Sequence, residues 1–353
     1  MKKSKTTLLV IGDIKDWDSF LKLHRQRSLL KQYGIEYKHC EYDPLLSGDL
    51  PDIHTERLII YLFFPFEFWD RYIEPKKYNG LYGNREFYRK IVAFWKRIDT
   101  ILRRRYAKKK FTFINQPKNI PLERDKKATK DTLAHAGIPV PHTYRVKNAH
   151  AMAGLLEKGK KFFIKPRFGS MGKGITYVEK GKWYTNFGFK ENTIRNRYSD
   201  YGWKFRKITG NMKFLKSLLK EDVMVEDAVP RWLIRGKHFD VRCLLFFGKI
   251  MYIYPRSNTI DRITTNVSQG ARSEKMKFLK DVDPVLLRRT ERIAVKAARI
   301  LNLNYAGVDL ILDPVKHEAI VIEINGFPGF PKVRTYNLGK YILHKIGEKY
   351  GNT

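Results

Sequence analysis

The sequence predicts a chain of mixed class, α/β in its first third and α+β beyond it, and three observations carry that prediction. Strand-like runs alternate with an amphipathic helix and a glycine stop over residues 7–64. A strand tipped by Lys165 runs into a glycine-rich loop. Two apolar runs, VDLIL at 308–312 and AIVIEI at 319–324, flank a turn at Asp313-Pro314 and read as paired antiparallel strands.

The elements follow in order. LLVIGD (8–13) reads as a strand, 17–33 as a helix stopped by Gly34, 35–40 as a second strand, and 58–64 as a third after a loop holding Pro44 and Pro51. This alternation implies a parallel sheet. The unit ends on an amphipathic helix with Arg103, Arg104, Arg105, Lys108, Lys109 and Lys110 at its foot. A second unit opens near Pro117 and Pro121, with a helix over 125–137 stopped by Gly137 and an extended Ile138-Pro139-Val140-Pro141 connector. Strands at 161–166 and 175–179 bracket the glycine loop. The polar, aromatic and basic stretch 181–221 reads as a long, partly helical excursion. Strands return at 223–226, 239–247 and 250–254, and the helix 284–301 lays its apolar face on their sheet. The expected units are 1–116, 117–221 and 222–353.

At 353 residues the chain has room for two or three cores. Its 70 Lys and Arg against 36 Asp and Glu give a net charge of +34, which points to an acidic partner without choosing among nucleic acid, an anionic surface and an acidic peptide. Two distant cysteines, Cys40 and Cys243, exclude a disulfide framework or thiolate metal site and fit a reducing, cytoplasmic setting. Lys2, Lys3 and Lys5 precede an apolar run too short for a secretion signal. No segment is long and apolar enough to span a bilayer.

Three constellations carry chemistry. Asp309 and Glu323 are acids set in apolar strands, and Asn325 shares a face with Glu323, so three oxygen donors converge if the hairpin aligns them. Such a set suits magnesium, which keeps positions open for water and nucleotide phosphates. Phe163-Ile164-Lys165-Pro166 leads into Gly169, Ser170, Met171, Gly172, Lys173 and Gly174, where glycines admit phosphate to backbone N–H groups and Lys165 supplies a counter-charge. This is neither the P-loop nor the dinucleotide fingerprint. Downstream, the short acidic strand Met224, Val225, Glu226, Asp227 precedes His238-Phe239-Asp240-Val241-Arg242 and Thr264-Thr265-Asn266. An arginine on an otherwise apolar strand needs an anion, either a structural Asp240 or a transferring phosphoryl group.

Taken in order from Arg124-Asp125-Lys126 to Pro328-Gly329, these motifs resemble the ATP-grasp superfamily. The resemblance implies a Rossmann-like pre-ATP-grasp domain followed by a two-subdomain ATP-grasp fold. It assigns Lys126 and Lys165 to ATP phosphates, the loop 169–174 to a cover over them, the backbone of Met224, Val225, Glu226 and Asp227 to adenine, and Asp240 to ribose. Arg242 and Asn266 face the transferring phosphoryl group, with Lys165 also catalytic, and Asp309, Glu323 and Asn325 bind one or two Mg2+ ions, with Mn2+ able to substitute.

Ala306-Gly307-Val308-Asp309 and Thr264-Thr265-Asn266-Val267-Ser268-Gln269-Gly270 look most like ligases that add glutamate to ribosomal-protein tails. Gly307 stands where D-alanine ligases carry arginine. The implied activity is an ADP-forming carboxylate–amine ligase acting through an acyl phosphate. Its expected partners are an amino acid or small carboxylate, an amine, an acidic peptide or protein acceptor, and further copies of the chain. Two rivals are a nucleic-acid binder with a degenerate grasp fold, using Arg103 to Lys110 and the run 183–216, and a small-metabolite biosynthetic ligase.

Overall fold

The computed structural model describes residues 5–15, 18–75, 80–197, 203–331 and 336–351; Lys2, Lys3 and Trp17, named above, lie outside them. Each of its three main sheets takes its place from the side-chain alternation of its strands.

The first sheet is fully parallel, in the order Ile35–Cys40, Thr6–Ile11, Arg57–Leu62, Lys110–Phe113. Period-two alternation gives it two apolar faces. Leu9, Ile11, Ile60 and Leu62 pack on the helix Arg85–Arg105 through Phe87, Ile91, Trp95 and Ile98. Leu8, Val10 and Ile59 pack instead on Phe20, Leu23 and the helix Leu338–Tyr350, which the sequence reading had not anticipated. The helix expected over 17–33 is two pieces, Asp18–His24 and a 3-10 turn Arg27–Tyr33, closed by Gly34 at φ 62°.

The second sheet, largely antiparallel, holds Phe162–Pro166, Thr176–Glu179, Lys182–Thr185 and Val223–Asp227. The strand Val223–Asp227, expected in the third unit, is hydrogen-bonded here between Phe162–Pro166 and Thr143–Tyr144. The excursion expected to be partly helical is mainly β among its described residues. It contributes Lys182–Thr185, Gly188–Lys190, Thr193–Arg195 and Arg206–Lys207, with one short helix, Met212–Leu218. Buried Trp183, Phe187 and Trp203 anchor it, so its aromatic residues serve a core.

The third sheet pairs Lys237–Phe246 with Lys249–Thr259 and Tyr305–Asp313, and the last of these with Glu318–Asn325. Val241, Cys243, Leu245, Val308 and Leu310 face the helix Pro284–Ile300, whose Ala294, Ala297 and Ala298 allow close approach. The opposite face carries the polar side chains and looks into a cleft toward the second sheet.

Candidate functional site

A β-bulge aims the acids. Leu310 pairs with Val321 and both are core, yet Asp309 pairs with Glu323, so Ile322 is an extra residue on its strand. Without that insertion Glu323 would point into the core; with it, Asp309 and Glu323 stand side by side on the cleft face. Asn325 lies opposite Gly307. A Cβ on Gly307 would come within 2.7 Å of Pro328, which explains why no arginine can occupy this position.

Arg242 lies opposite Asp309 and grips both of its oxygens, at 2.6 and 2.6 Å. Arg256 lies opposite Asp240, grips both of its oxygens at 2.7 and 2.6 Å, and reaches Asp309 at 3.1 Å. Thr265 also donates to Asp240. The result is a buried alternating array, Arg242, Asp309, Arg256, Asp240. Burial alone would raise Asp309, but Arg242 and then Arg256 outweigh it and hold the carboxyl below its usual range. Asp240 lines the cleft with one oxygen on Arg256 and the other shared by Arg256 and Thr265, while Arg242, paired with Asp309, is not among the lining residues.

Opposite this array the helix Lys126–His135, N-capped by Asp125, presents Lys126 and Lys130 one turn apart. Lys126 pairs with Glu323. Lys130 and Lys165 each take one oxygen of Glu226, which is only 1% exposed. The cleft, about 820 Å³ including its open mouth, is lined by Lys126, Lys130, Lys165, Asp309 and Glu323 together with an apolar wall of Phe163, Ile175, Ile263, Ile311 and Ile322. Met224, Val225, Glu226 and Asp227, the strand expected to read adenine, are not among its lining residues; the strand pairs with Phe162–Pro166 along its length and with Thr143–Tyr144 at Val225 and Glu226.

The glycine loop covers the cleft through Ser170, Gly172 and Lys173. Met171, Gly172 and Gly174 take φ of 56°, 72° and 74°. Asn186 donates to the Gly172 carbonyl at 2.7 Å, and a Cβ on Gly172 would lie 3.2 Å from Asn266, so Asn266 sits directly under the loop. The first unit braces it from outside. Ser170 N donates to the Tyr82 hydroxyl at 3.1 Å, Phe168 N to Gly83 O at 3.3 Å, and Lys173 faces Glu74 at 3.7 Å.

The donor set fits a hard divalent cation. Asp309, held by Arg242 and Arg256, and Glu323, paired with Lys126, line the cleft and offer oxygens of the kind such a cation takes, whereas Asn325 is not among the lining residues and its buried Nδ2 has no hydrogen-bond partner. Glu123 lies beside them and accepts from Gly326 N. Burial raises its carboxyl to about 8, against the opposing charge of Arg124. Sequence reasoning missed Lys130, Arg256 and Glu123. The first two had a signal: Lys130 follows Lys126 at helical spacing, and Arg256 interrupts a strand as Arg242 does.

Residues 125–342 match the family described as YheC/D like ATP-grasp. The tetrahydromethanopterin:alpha-L-glutamate ligase of Methanocaldococcus jannaschii is 26% identical over 238 residues, spanning 66% of this chain and 69% of that protein. A probable alpha-L-glutamate ligase of Legionella pneumophila is 25% identical over 241 residues, 67% of each chain. Among solved structures, the ATP-grasp ligase PsnB with a minimal precursor superposes with a TM-score of 0.55 at 15% identity, covering 97% of this chain and 98% of that one.

Proposed function

Since the chain belongs to the YheC/D-like ATP-grasp family and is thereby an ATP-dependent carboxylate–amine ligase, we propose that it joins an amino acid to a peptide, protein or other acidic acceptor through an acyl phosphate. The convergence of Lys126 and Lys165 with Asp309 and Glu323 around one cleft is the observation that carries this reading. Glutamate is the amino acid that the names of the relatives suggest.

In this reading the apolar wall takes the adenine ring. Lys126 and Lys165 turn to the phosphates, and the loop from Gly169 to Gly174 excludes water above them. Asn266, under the loop, donates to the phosphoryl group in transfer. Arg242 and Arg256 act as positioning residues that fix Asp309. Asp309, Glu323 and Asn325 hold magnesium, which when bound neutralises phosphate charge. An acceptor carboxylate attacks the γ-phosphorus and ADP leaves. The amine then attacks the acyl carbon, inorganic phosphate leaves with the C–O bond electrons, and the amine proton passes to solvent. No side-chain nucleophile is required, because positioning and charge stabilisation suffice.

The nucleic-acid reading finds less support. Arg103 is paired with Asp99, Arg105 with Asp52 and Lys110 with Glu56, which spends much of the basic run, and acids line the cleft. The decisive test is ADP release with magnesium, ATP and pools of amino acids and acidic peptides. Lys165→Ala, folded as the parent by circular dichroism, is expected to abolish the release; near-normal turnover would remove the mechanism.

A further inference from the structure

Glu226 holds the very ammonium that the proposed function needs elsewhere. Its carboxylate lies against Lys165 at the cleft wall, and at 1% exposure it has no water to replace a lost partner. Leaving a buried carboxylate uncompensated is costly, so a Glu226 with Lys165 as its lone counter-ion would compete with any phosphate for that cation. The structure supplies a second cation. Lys130, 4% exposed and one helical turn beyond Lys126, engages the other oxygen of Glu226.

We propose that Lys130 is a positioning residue for nucleotide binding: it keeps Glu226 neutralised, so that Lys165 can leave the carboxylate and turn to a phosphate of ATP. This rests on the ATP-dependent reading above and deepens it by assigning a task to a residue that reading leaves idle. The exchange is purely ionic, with no bond made or broken. Before nucleotide enters, Glu226 separates two like charges that share one cleft wall; afterwards the phosphate takes over one of them.

Two features support a standing Lys130–Glu226 pair. Burial would raise the Glu226 carboxyl, but Lys130 and Lys165 outweigh it and hold the carboxyl low, while burial lowers the Lys130 ammonium against the opposing charge of Glu226. Lys130 also cannot be a surface charge kept for solubility, since it lies among buried Leu133, Thr129 and Glu226. Lys126 has the parallel arrangement with Glu323, but no second cation pairs with Glu323 among the described residues.

The test is titration of the full chain with magnesium and a non-hydrolysable ATP analogue, read by calorimetry. Lys130→Met is expected to weaken binding by about tenfold or more, whereas Lys130→Arg stays close to the parent. The double variant Lys130→Met, Glu226→Gln is expected to recover the affinity of Glu226→Gln alone, because with the acid removed nothing holds Lys165 back. A lysine that contacts the nucleotide itself would not be rescued in this way, and matched melting curves of the variants separate the binding effect from a loss of fold. Should Lys130→Met fold and bind as the parent does, or should the double variant stay as weak as Lys130→Met, the inference falls. If Lys130→Met does not fold, the comparison of Glu226→Gln with the double variant decides alone: equal affinity supports the inference, and a further loss shows that Lys130 touches the nucleotide itself and overturns it. A parent protein that binds no analogue overturns the ligase reading and this inference together.

Discussion

Arg256 is shared by two carboxylates, and its removal strands Asp240. Asp240 and Asp309 are buried, and although Arg242 still grips Asp309, Asp240 would keep only the Thr265 hydroxyl. Arg256→Met is therefore expected to lower stability by about 3–5 kcal/mol in urea melts; a change below about 1 kcal/mol would show that the array is not held by charge. A second residue sets a pH window. His238 Nε2 faces the Arg262 carbonyl at 2.9 Å and must donate to it, so Nδ1 is left to accept from Arg231 at 2.8 Å. Burial, reinforced by Arg231, lowers its pKa to about 4. The unfolded imidazole protonates near 6.5 and the folded one only near 4, so the contribution of His238 is complete above pH 6.5 and lost as pH falls toward 4. Urea melts at pH 7 and pH 5 should show a smaller drop for His238→Gln than for the parent. At this scale the sequence marked Lys165, Asp309 and Glu323 by residue type and neighbours, and Lys126 only through the family resemblance. It did not mark Lys130, whose helical spacing from Lys126 went unused, or the partners of Arg242 and Arg256, which follow from cross-strand register, a property of paired strands.

Among the elements, most strands were legible to within a residue or two, as with 35–40, where alternation and a glycine stop agree. The bulge at Ile322 was not, because AIVIEI reads equally well as an unbroken strand, and only pairing with a core-facing Leu310 forces the insertion. The excursion misled for a related reason: its aromatics follow no period until Trp183, Phe187 and Trp203 meet in one cluster. The glycine loop makes the sharpest demand on composition. A Cβ at Gly174 would lie 2.6 Å from both Phe187 and Pro166, and its φ is 74°. Gly174→Ala is expected to cost about 1–3 kcal/mol in thermal melts and to weaken nucleotide binding, since the loop must shift off the cleft. Unchanged melting would mean that the loop is not bound by these contacts.

For the molecule as a whole, the +34 charge concerns association more than fold. If the acceptor is acidic, raising salt from about 0.05 to about 0.5 M should lower kcat/KM on a glutamate-rich peptide about tenfold and on an uncharged one far less. Equal responses would detach the charge from acceptor choice. Three units were expected from element order, with Val223–Asp227 assigned to the third and the excursion read as partly helical, whereas the closure of the fold on itself was not expected. The helix Leu338–Tyr350 covers the Leu8, Val10 and Ile59 face of a sheet whose first three strands are complete by residue 62. On a translating ribosome, that oily face stays bare for on the order of tens of seconds while the intervening chain is made. A sheet face made nearly three hundred residues before its covering helix is thus among the last surfaces to be sealed, and it has a clear claim on chaperone shelter in the cell.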